Sequence, residues 1–292
     1  MAETVLLTGA SGFVGRAIHA ALLASGFAVE PVGRTAREGW HQADLLVAAD
    51  RERVLARTRA RVLLHAAWYV EHGAFWASPL NEVWRAASAD LARGFLAAGG
   101  RRIVGLGTCA EYASQGQDGP WREDRPIAPA TPYGTAKAGL HADLGTLCAG
   151  AGASLLWLRL FHLYGAGEHP ARLVPSLMRA LAAGAPARVR AAGLVRDFAS
   201  TLHIGDCVAD LLGTRAEGAM NLGSGAPRSL GDLARVLAQI AGRTDLLDLG
   251  NAPLPDDPAV MVPDLARLHA AIGARVELPE DGLRQVFTYS QE

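Results

Sequence analysis

Two side chains in the stretch TPYGTAK, Tyr133 and Lys137, stand four residues apart. If a helix begins at Tyr133, that spacing puts both on one face. An ammonium beside a phenol favours the phenolate and draws tyrosine's pKa from about 10 toward working pH. Such a phenol can give a proton to, or take one from, an alcohol or carbonyl undergoing oxidation or reduction. The pair alone is a common chance pattern, a surface tyrosine near a solvated lysine. Its place in the chain is informative, because it follows a strand-like run ending at Gly105 and lies behind a glycine-rich turn at the N-terminus. A second stretch, LGTCAEY (Leu106 to Tyr112), holds Cys109, one of three cysteines.

The glycine turn is TGASGFVG. It follows an apolar run and opens a helix-like segment. Gly9, Gly12 and Gly15 permit a tight turn, close approach of backbone to a pyrophosphate, and close helix–strand packing. The helix start offers free N–H groups and partial positive charge. Gly9, Ser11, Gly12, Phe13, Val14 and Gly15 are therefore candidate dinucleotide contacts. The second strand ends in VGR, with Gly33 where an acid for the ribose 2′-hydroxyl would stand and Arg34 beside it. Arginine suits a 2′-phosphate, so NADP(H) ranks ahead of NAD(H). Glu30 lies mid-strand, too early for the ribose. In ADLL, Asp44 and Leu45 are candidate adenine contacts, although Asp44 equally suits a helix N-cap.

These groups must be positioned by alternating strands and helices. Strand-like runs cover Thr4 to Gly9, AVEPVG, Arg61 to Ala67, RRIVGLG and Ser154 to Phe161. Helical spacing covers Gly15 to Gly26, Ala86 to Ala98 and Pro132 to Gly150. The order predicts an α/β Rossmann fold, a doubly wound parallel sheet over residues 1–162. Residues 163–292 are predicted to form a smaller mixed α/β substrate lobe, with part of the chain returning to the first domain. Helical patches there are Pro175 to Ala183, Ile204 to Leu212 and Ser229 to Ala241, with NAPLPDDP as a loop.

The 292 residues are half hydrophobic, enough for a sizeable core, and Lys plus Arg (28) nearly balances Asp plus Glu (29). That balance argues against nucleic acid or an anionic membrane as partner. No apolar run approaches the ~18 residues of a membrane helix. Three scattered cysteines imply no zinc site and no disulfide framework. With no signal peptide recognisable at MAETVLLTGA, a cytoplasmic protein is expected.

Taken together, the motifs resemble the extended short-chain dehydrogenases/reductases of the NAD-dependent epimerase/dehydratase type, over nearly the whole chain. TGASGFVG matches the glycine loop. VLLHAA matches the strand whose end lines the cofactor, which adds Ala66 and Ala67 to the cofactor contacts. GTCAEY matches the Ser/Thr segment and YGTAK the Tyr-Lys pair. LRLFHLYGAGE, RDF, HIGD, NLGSG and VPDLARLHAAIGA have counterparts as well. The resemblance implies a nucleotide-sugar substrate and a homodimer, and it gives Tyr133 and Lys137 cofactor contacts beside their chemistry. The catalytic hydroxyl falls on Thr108, four residues before Tyr112 and 25 before Tyr133. A hydroxyl both donates to and accepts from a substrate oxygen. A thiol is the better nucleophile, which hydride transfer does not need.

The two residues after Thr108 discriminate between branches. The 4,6-dehydratases typically carry Asp-Glu there, and the 3,5-epimerases a cysteine in the second position. Here they are Cys109 and Ala110, which disfavours dehydration and puts the thiol one place early, as a packing residue. What remains is reduction of a 4-keto nucleotide sugar, as in deoxysugar biosynthesis. The alternative is 4-epimerisation with tightly bound NAD, and a non-enzymatic dinucleotide sensor ranks last. By the same resemblance Arg196 is the diphosphate arginine and Arg172 a second choice. His162 stands where many relatives have Asn. Thr108, Cys109, Ala110, His162, Arg172 and Arg196 are the candidate substrate contacts. Trp68, Tyr69, His72, Phe75 and Trp76 form an aromatic cluster, either a lid over the sugar or packing between lobes.

Overall fold

The computed structural model describes residues 3–115, 119–252 and 257–289. Six strands of the main sheet are β1 (Thr4–Thr8), β2 (Ala28–Gly33), β3 (His41–Gln42), β4 (Val62–His65), β5 (Arg102–Thr108) and β6 (Ser154–Leu160). The seventh, Gly218–Leu222, returns from the second half of the chain to pair with β6. All run parallel, in the spatial order Gly218–Leu222, β6, β5, β4, β1, β2, β3. The order reverses at β1, so a crevice opens where the C-terminal ends of β1 and β4 diverge, the place where such sheets hold ligands.

Alternation along the strands builds two cores. Val5, Leu7, Val62, Leu64, Val104, Leu156 and Leu158 face one side, against α1 (Phe13–Ala24) and the helix Thr201–Leu212. Leu6, Leu63, Ile103 and Trp157 face the other, against α2 (Ala48–Arg57), α3 (Leu80–Ala97) and α4 (Pro132–Ala151). Both faces are covered, which is why these strands read as continuous apolar runs. Gly105 and Gly107 in β5 leave room for the Trp157 indole, which lies where their Cβ atoms would be.

α4 is well delimited. The Thr131 hydroxyl accepts from the Gly134 N–H at 3.1 Å, Pro132 takes the first helical position, and Gly152 ends the helix at φ +62°. These are the expected start and stop signals. Its buried face runs Ala136, Lys137, Leu140, Leu144, Cys148.

The predicted strands all form. α3 starts at Leu80, six residues ahead of the predicted Ala86, because buried Asn81 donates to the Phe75 and Ser78 carbonyls and anchors the start. α2 is absent from the predicted elements. It is polar and only Val54 is buried, so it carries little apolar periodicity. Beyond residue 162, helices Leu173–Ala182 and Leu230–Ile240 share a core of their own. The predicted loop NAPLPDDP lies in part outside the described residues.

Candidate active site

β1 ends in Thr8, and Gly9 follows with φ +68°, a conformation that favours glycine. A Cβ on Gly9 would stand 2.7 Å from the Ala67 nitrogen, and one on Gly15 would overlap the Gly9 carbonyl. The turn therefore presses against Ala66 and Ala67 at the end of β4. α1 begins after Gly12 with no side-chain cap and no acid in its first turn. Its first N–H groups and its dipole are open to an anion, the arrangement a pyrophosphate requires. Arg34 is exposed, and its guanidinium has no ion pair among the described residues. Glu30 is turned away and accepts from the Thr58 hydroxyl at 2.5 Å and the Arg59 N–H at 3.2 Å. Asp44 Oδ1 accepts from the Leu46 N–H at 3.0 Å, ahead of the start of α2.

Below this turn lies a buried polar chain. Thr8 Oγ1 accepts from the N–H groups of Ala66 and Ala67 and bonds His65 Nδ1 at 2.8 Å, and His65 Nε2 bonds Ser88 Oγ at 2.8 Å. The Thr8 proton then points to Nδ1, and Nε2 carries the proton donated to Ser88. Burial, with Lys137 nearby, holds the His65 pKa down at about 3. The folded protein keeps this imidazole neutral while an unfolded chain protonates it near 6.5. Stability is thus complete above pH 6.5 and is lost as pH falls toward 3, by up to about 1.4 kcal/mol per pH unit. Denaturant unfolding between about pH 7 and about pH 4.5 should show a shallower acid slope for His65→Gln than for the wild type. Equal slopes would remove His65 from the acid sensitivity.

Tyr133 and Lys137 lie on the first turns of α4, and Thr108 ends β5. Thr108 is buried, and its oxygen accepts from the Ala110 N–H at 3.2 Å, leaving the hydroxyl proton to donate elsewhere. Thr108 lies close enough to the Tyr133 phenol to act on its pKa. The spacing predicts that the lysine draws the phenol's pKa down. Instead, burial pushes it well above its ordinary value, and contact with Thr108 and the charge of Arg172 only partly offset that. Lys137 Nζ donates to the Leu106 carbonyl at 2.8 Å and lies 4.0 Å from the centroid of the Trp68 ring. Burial lowers its pKa to about 7, against a smaller pull from Glu111.

The aromatic cluster is built around this pair. Phe75 and Trp76 meet the Tyr133 ring edge-on at 4.9 and 5.5 Å between centroids, and the Tyr133 N–H donates to the Trp76 carbonyl. His72 stacks on His169 of the loop beyond Tyr164, 4.4 Å between centroids, and so joins the cluster to that loop.

Cys109 packs with Tyr112, Trp121, Phe161 and Met261, its sulfur 3.8 Å from the Met261 sulfur. Burial pushes its thiol up to about 12, so it stays protonated and poorly nucleophilic.

Glu111, which no motif singles out, is fully buried behind the site. It accepts from the Thr108 N–H at 2.8 Å, the Trp157 indole at 3.0 Å and Arg159 Nε at 2.8 Å. Arg159 continues to the Tyr112 oxygen, and that hydroxyl donates to Asn221 Oδ1 at 2.7 Å. The network ties β5, β6 and the strand Gly218–Leu222 together at the ends that carry the site. The motif segments RDF, HIGD and NLGSG also meet. Asp197 accepts from the Ser224 and Gly225 N–H groups, and His203 contacts the Gly223 carbonyl.

Of the two arginines, Arg196 is buried and engaged. It donates to the Val195 carbonyl at 2.8 Å and pairs with Asp257 at 2.5 Å. Arg172 has no ion pair or side-chain hydrogen bond among the described residues, and its charge acts on Tyr133, His162 and Glu168. No cluster of three metal-ligating side chains occurs among the described residues. Nor is any helix there long and apolar enough to cross a membrane.

A parallel sheet with a glycine cradle at its switch point and a Thr–Tyr–Lys set beside it defines a short-chain dehydrogenase/reductase-type protein. Residues 5–219 match the model of the NAD dependent epimerase/dehydratase family, and the chain belongs to that family. It is 28% identical over 268 residues to a dTDP-glucose 4,6-dehydratase of Streptomyces griseus, covering 83% of this chain and 80% of that protein. Its fold is similar to UDP-glucose 4-epimerase of Thermotoga maritima, with TM-score 0.84 and 18% identity over 99% of this chain and 98% of the other. It is also similar to the NAD complex of UDP-glucose 4-epimerase from Thermus thermophilus, with TM-score 0.82, 22% identity and 99% coverage of each.

Proposed function

We propose that the protein reduces the keto group of a 4-keto nucleotide sugar, with NADP(H) preferred over NAD(H). The observation that carries this reading is the environment of Thr108. The proton-bearing groups beside it are the Tyr133 phenol and a thiol that burial keeps protonated. Cys109 and Ala110 occupy the two positions where 4,6-dehydratases typically carry their acid and base, and Glu111 is committed to Arg159. The segment after Thr108 therefore offers no acid–base pair for loss of water, although the similar proteins include dehydratases.

The cradle of Gly9, Ser11, Gly12, Phe13, Val14 and Gly15 fits a dinucleotide pyrophosphate. Ala66 and Ala67 would line it, Asp44 and Leu45 would meet the adenine, and exposed Arg34 would take a 2′-phosphate. Bound nicotinamide would supply hydride transfer at the sugar's C4. The Thr108 hydroxyl orients the C4 oxygen, and Tyr133 gives that oxygen its proton. Desolvation suits this direction, because it keeps the phenol protonated until the substrate arrives. Lys137 uses one N–H on Leu106 and has others for the cofactor ribose or the Tyr133 oxygen. Arg172, which has no ion pair among the described residues, is freer than Arg196 to take a diphosphate, since Asp257 already holds Arg196. Cys109, Ala110 and His162 would flank the sugar.

A second reading is 4-epimerisation, supported by the fold likeness to UDP-glucose 4-epimerases and by the same Thr–Tyr–Lys set. The assembled set speaks against a non-catalytic sensor. A homodimer belongs to the proposal too, supported by apolar Leu80 and Val83 exposed on α3, which packs against α4. So does a cytoplasmic location, in keeping with three free cysteines.

The test is spectroscopic. Adding 4-keto sugars of thymidine or uridine diphosphate should consume NADPH stoichiometrically, and faster than NADH. Interconversion of UDP-glucose and UDP-galactose with no net change in nicotinamide absorbance would instead establish the epimerase. Turnover of neither substrate class overturns both readings.

A further inference from the structure

Beyond the residues already assigned, the loop joining the strand His162–Tyr164 to the helix Leu173–Ala182 carries an acid with unusual surroundings. Glu168 Oε2 is buried and has no hydrogen-bond partner. At the start of the strand that leads into this loop, His162 Nδ1 is likewise buried without a partner among the described residues. Unpaired buried polar atoms are rare in folded proteins, and a ligand is one of the few things that complete them. The charge of Arg172 acts on Glu168, His162 and Tyr133 alike. Glu168 and Arg172 stand four residues apart with opposite charge, yet they form no ion pair among the described residues. The loop is tied down from two sides: Arg16 of α1, the helix that opens at the glycine turn, donates to the Ala166 carbonyl at 3.0 Å, and His169 stacks on His72, three residues before Phe75.

We propose that Glu168 is a specificity-determining residue, its free carboxylate oxygen accepting a hydrogen bond from a hydroxyl or amino group on the glycosyl ring of the substrate. The inference rests on the nucleotide-sugar reading above and adds the chemistry of the sugar: the ring must present a donor toward this loop. Burial raises the Glu168 pKa to about 7. A donor that satisfies the free oxygen would favour the ionised form, which accepts hydrogen bonds at both oxygens. His162, standing where relatives carry asparagine, offers its orphaned nitrogen to the same ring.

The experiment is calorimetric binding to the NADP⁺-saturated protein. UDP-glucose is compared with UDP, and dTDP-glucose with dTDP, for wild type, Glu168→Ala and Glu168→Gln. Glu168→Ala should weaken the sugar nucleotide roughly tenfold, the ~1.4 kcal/mol of one charge-assisted hydrogen bond. It should leave the free diphosphate and NADP⁺ within about twofold. Glu168→Gln, whose amide oxygen still accepts, should recover most of that loss. An unchanged ratio of sugar nucleotide to diphosphate overturns the proposal. So does parallel weakening of both ligands, which marks general damage to the loop, or weakening of NADP⁺, which assigns the donor to the cofactor. A wild type that binds UDP-glucose and dTDP-glucose no more tightly than UDP and dTDP overturns the inference, and the nucleotide-sugar reading falls separately, on absence of turnover with the 4-keto and UDP-sugar substrates above.

Discussion

Replacing Tyr133 by phenylalanine should lower kcat by roughly 10²–10⁴-fold, the range for a positioned general acid, with little effect on folding. The two halves of this expectation have separate causes. The ring is held by Phe75 and Trp76, and the backbone by the Trp76 carbonyl. Phenylalanine keeps all three contacts. The oxygen contributes almost nothing to that packing. Its neighbour is the Thr108 hydroxyl, which retains the Ala110 N–H when the phenol is gone. A melting temperature within a few degrees of wild type, unchanged NADP⁺ affinity and collapsed turnover of a 4-keto nucleotide sugar are the expected results. Turnover at the wild-type rate would remove Tyr133 from the chemistry.

Glu111→Ala should act in the opposite way, on stability first. The carboxylate is fully buried and serves three donors at once: the Thr108 N–H, the Trp157 indole and the Arg159 guanidinium. Removing it leaves a buried arginine without its counter-charge, which typically costs about 3–5 kcal/mol. For a chain of this size that is a fall of roughly 10 °C in melting temperature. The exposed pair Arg188–Asp248 is the natural control, because surface pairs contribute about 0–1 kcal/mol. If Glu111→Ala and Arg188→Ala melt alike, the buried network does not hold these strand ends together.

The sequence is most readable where local rules govern. The glycine turn, the apolar strands and the α4 start are fixed by backbone sterics, two-face burial and capping, all of which act within a few residues. The role of Glu111 is invisible for the opposite reason. Its partners Trp157 and Arg159 lie 46 and 48 positions away, and an acid in GTCAEY looks like any polar loop residue. The glycines of RRIVGLG hint at a bulky neighbour but do not name Trp157. The phenol's pKa departs from the expected direction because spacing reports that a lysine is near, while desolvation depends on what else is packed around. Trp68 and Phe75, which the sequence leaves open between lid and packing, lie against Lys137 and Tyr133 because α3 begins earlier than its apolar pattern indicates. Glu168 gives no signal beyond being an acid in the loop after Tyr164.

The placement of Lys137 among the core residues of α4 has a consequence for how such a protein can change over time. Lys137 shares a buried helix face with Leu140, Leu144 and Cys148, so a substitution that shifts it also disturbs the packing of that face. The loop bearing Glu168 and Arg172 has no such obligation. Under the function proposed above, new substrates would come from altering that loop and a new cofactor preference from altering exposed Arg34, with the Tyr133–Lys137 helix left unchanged.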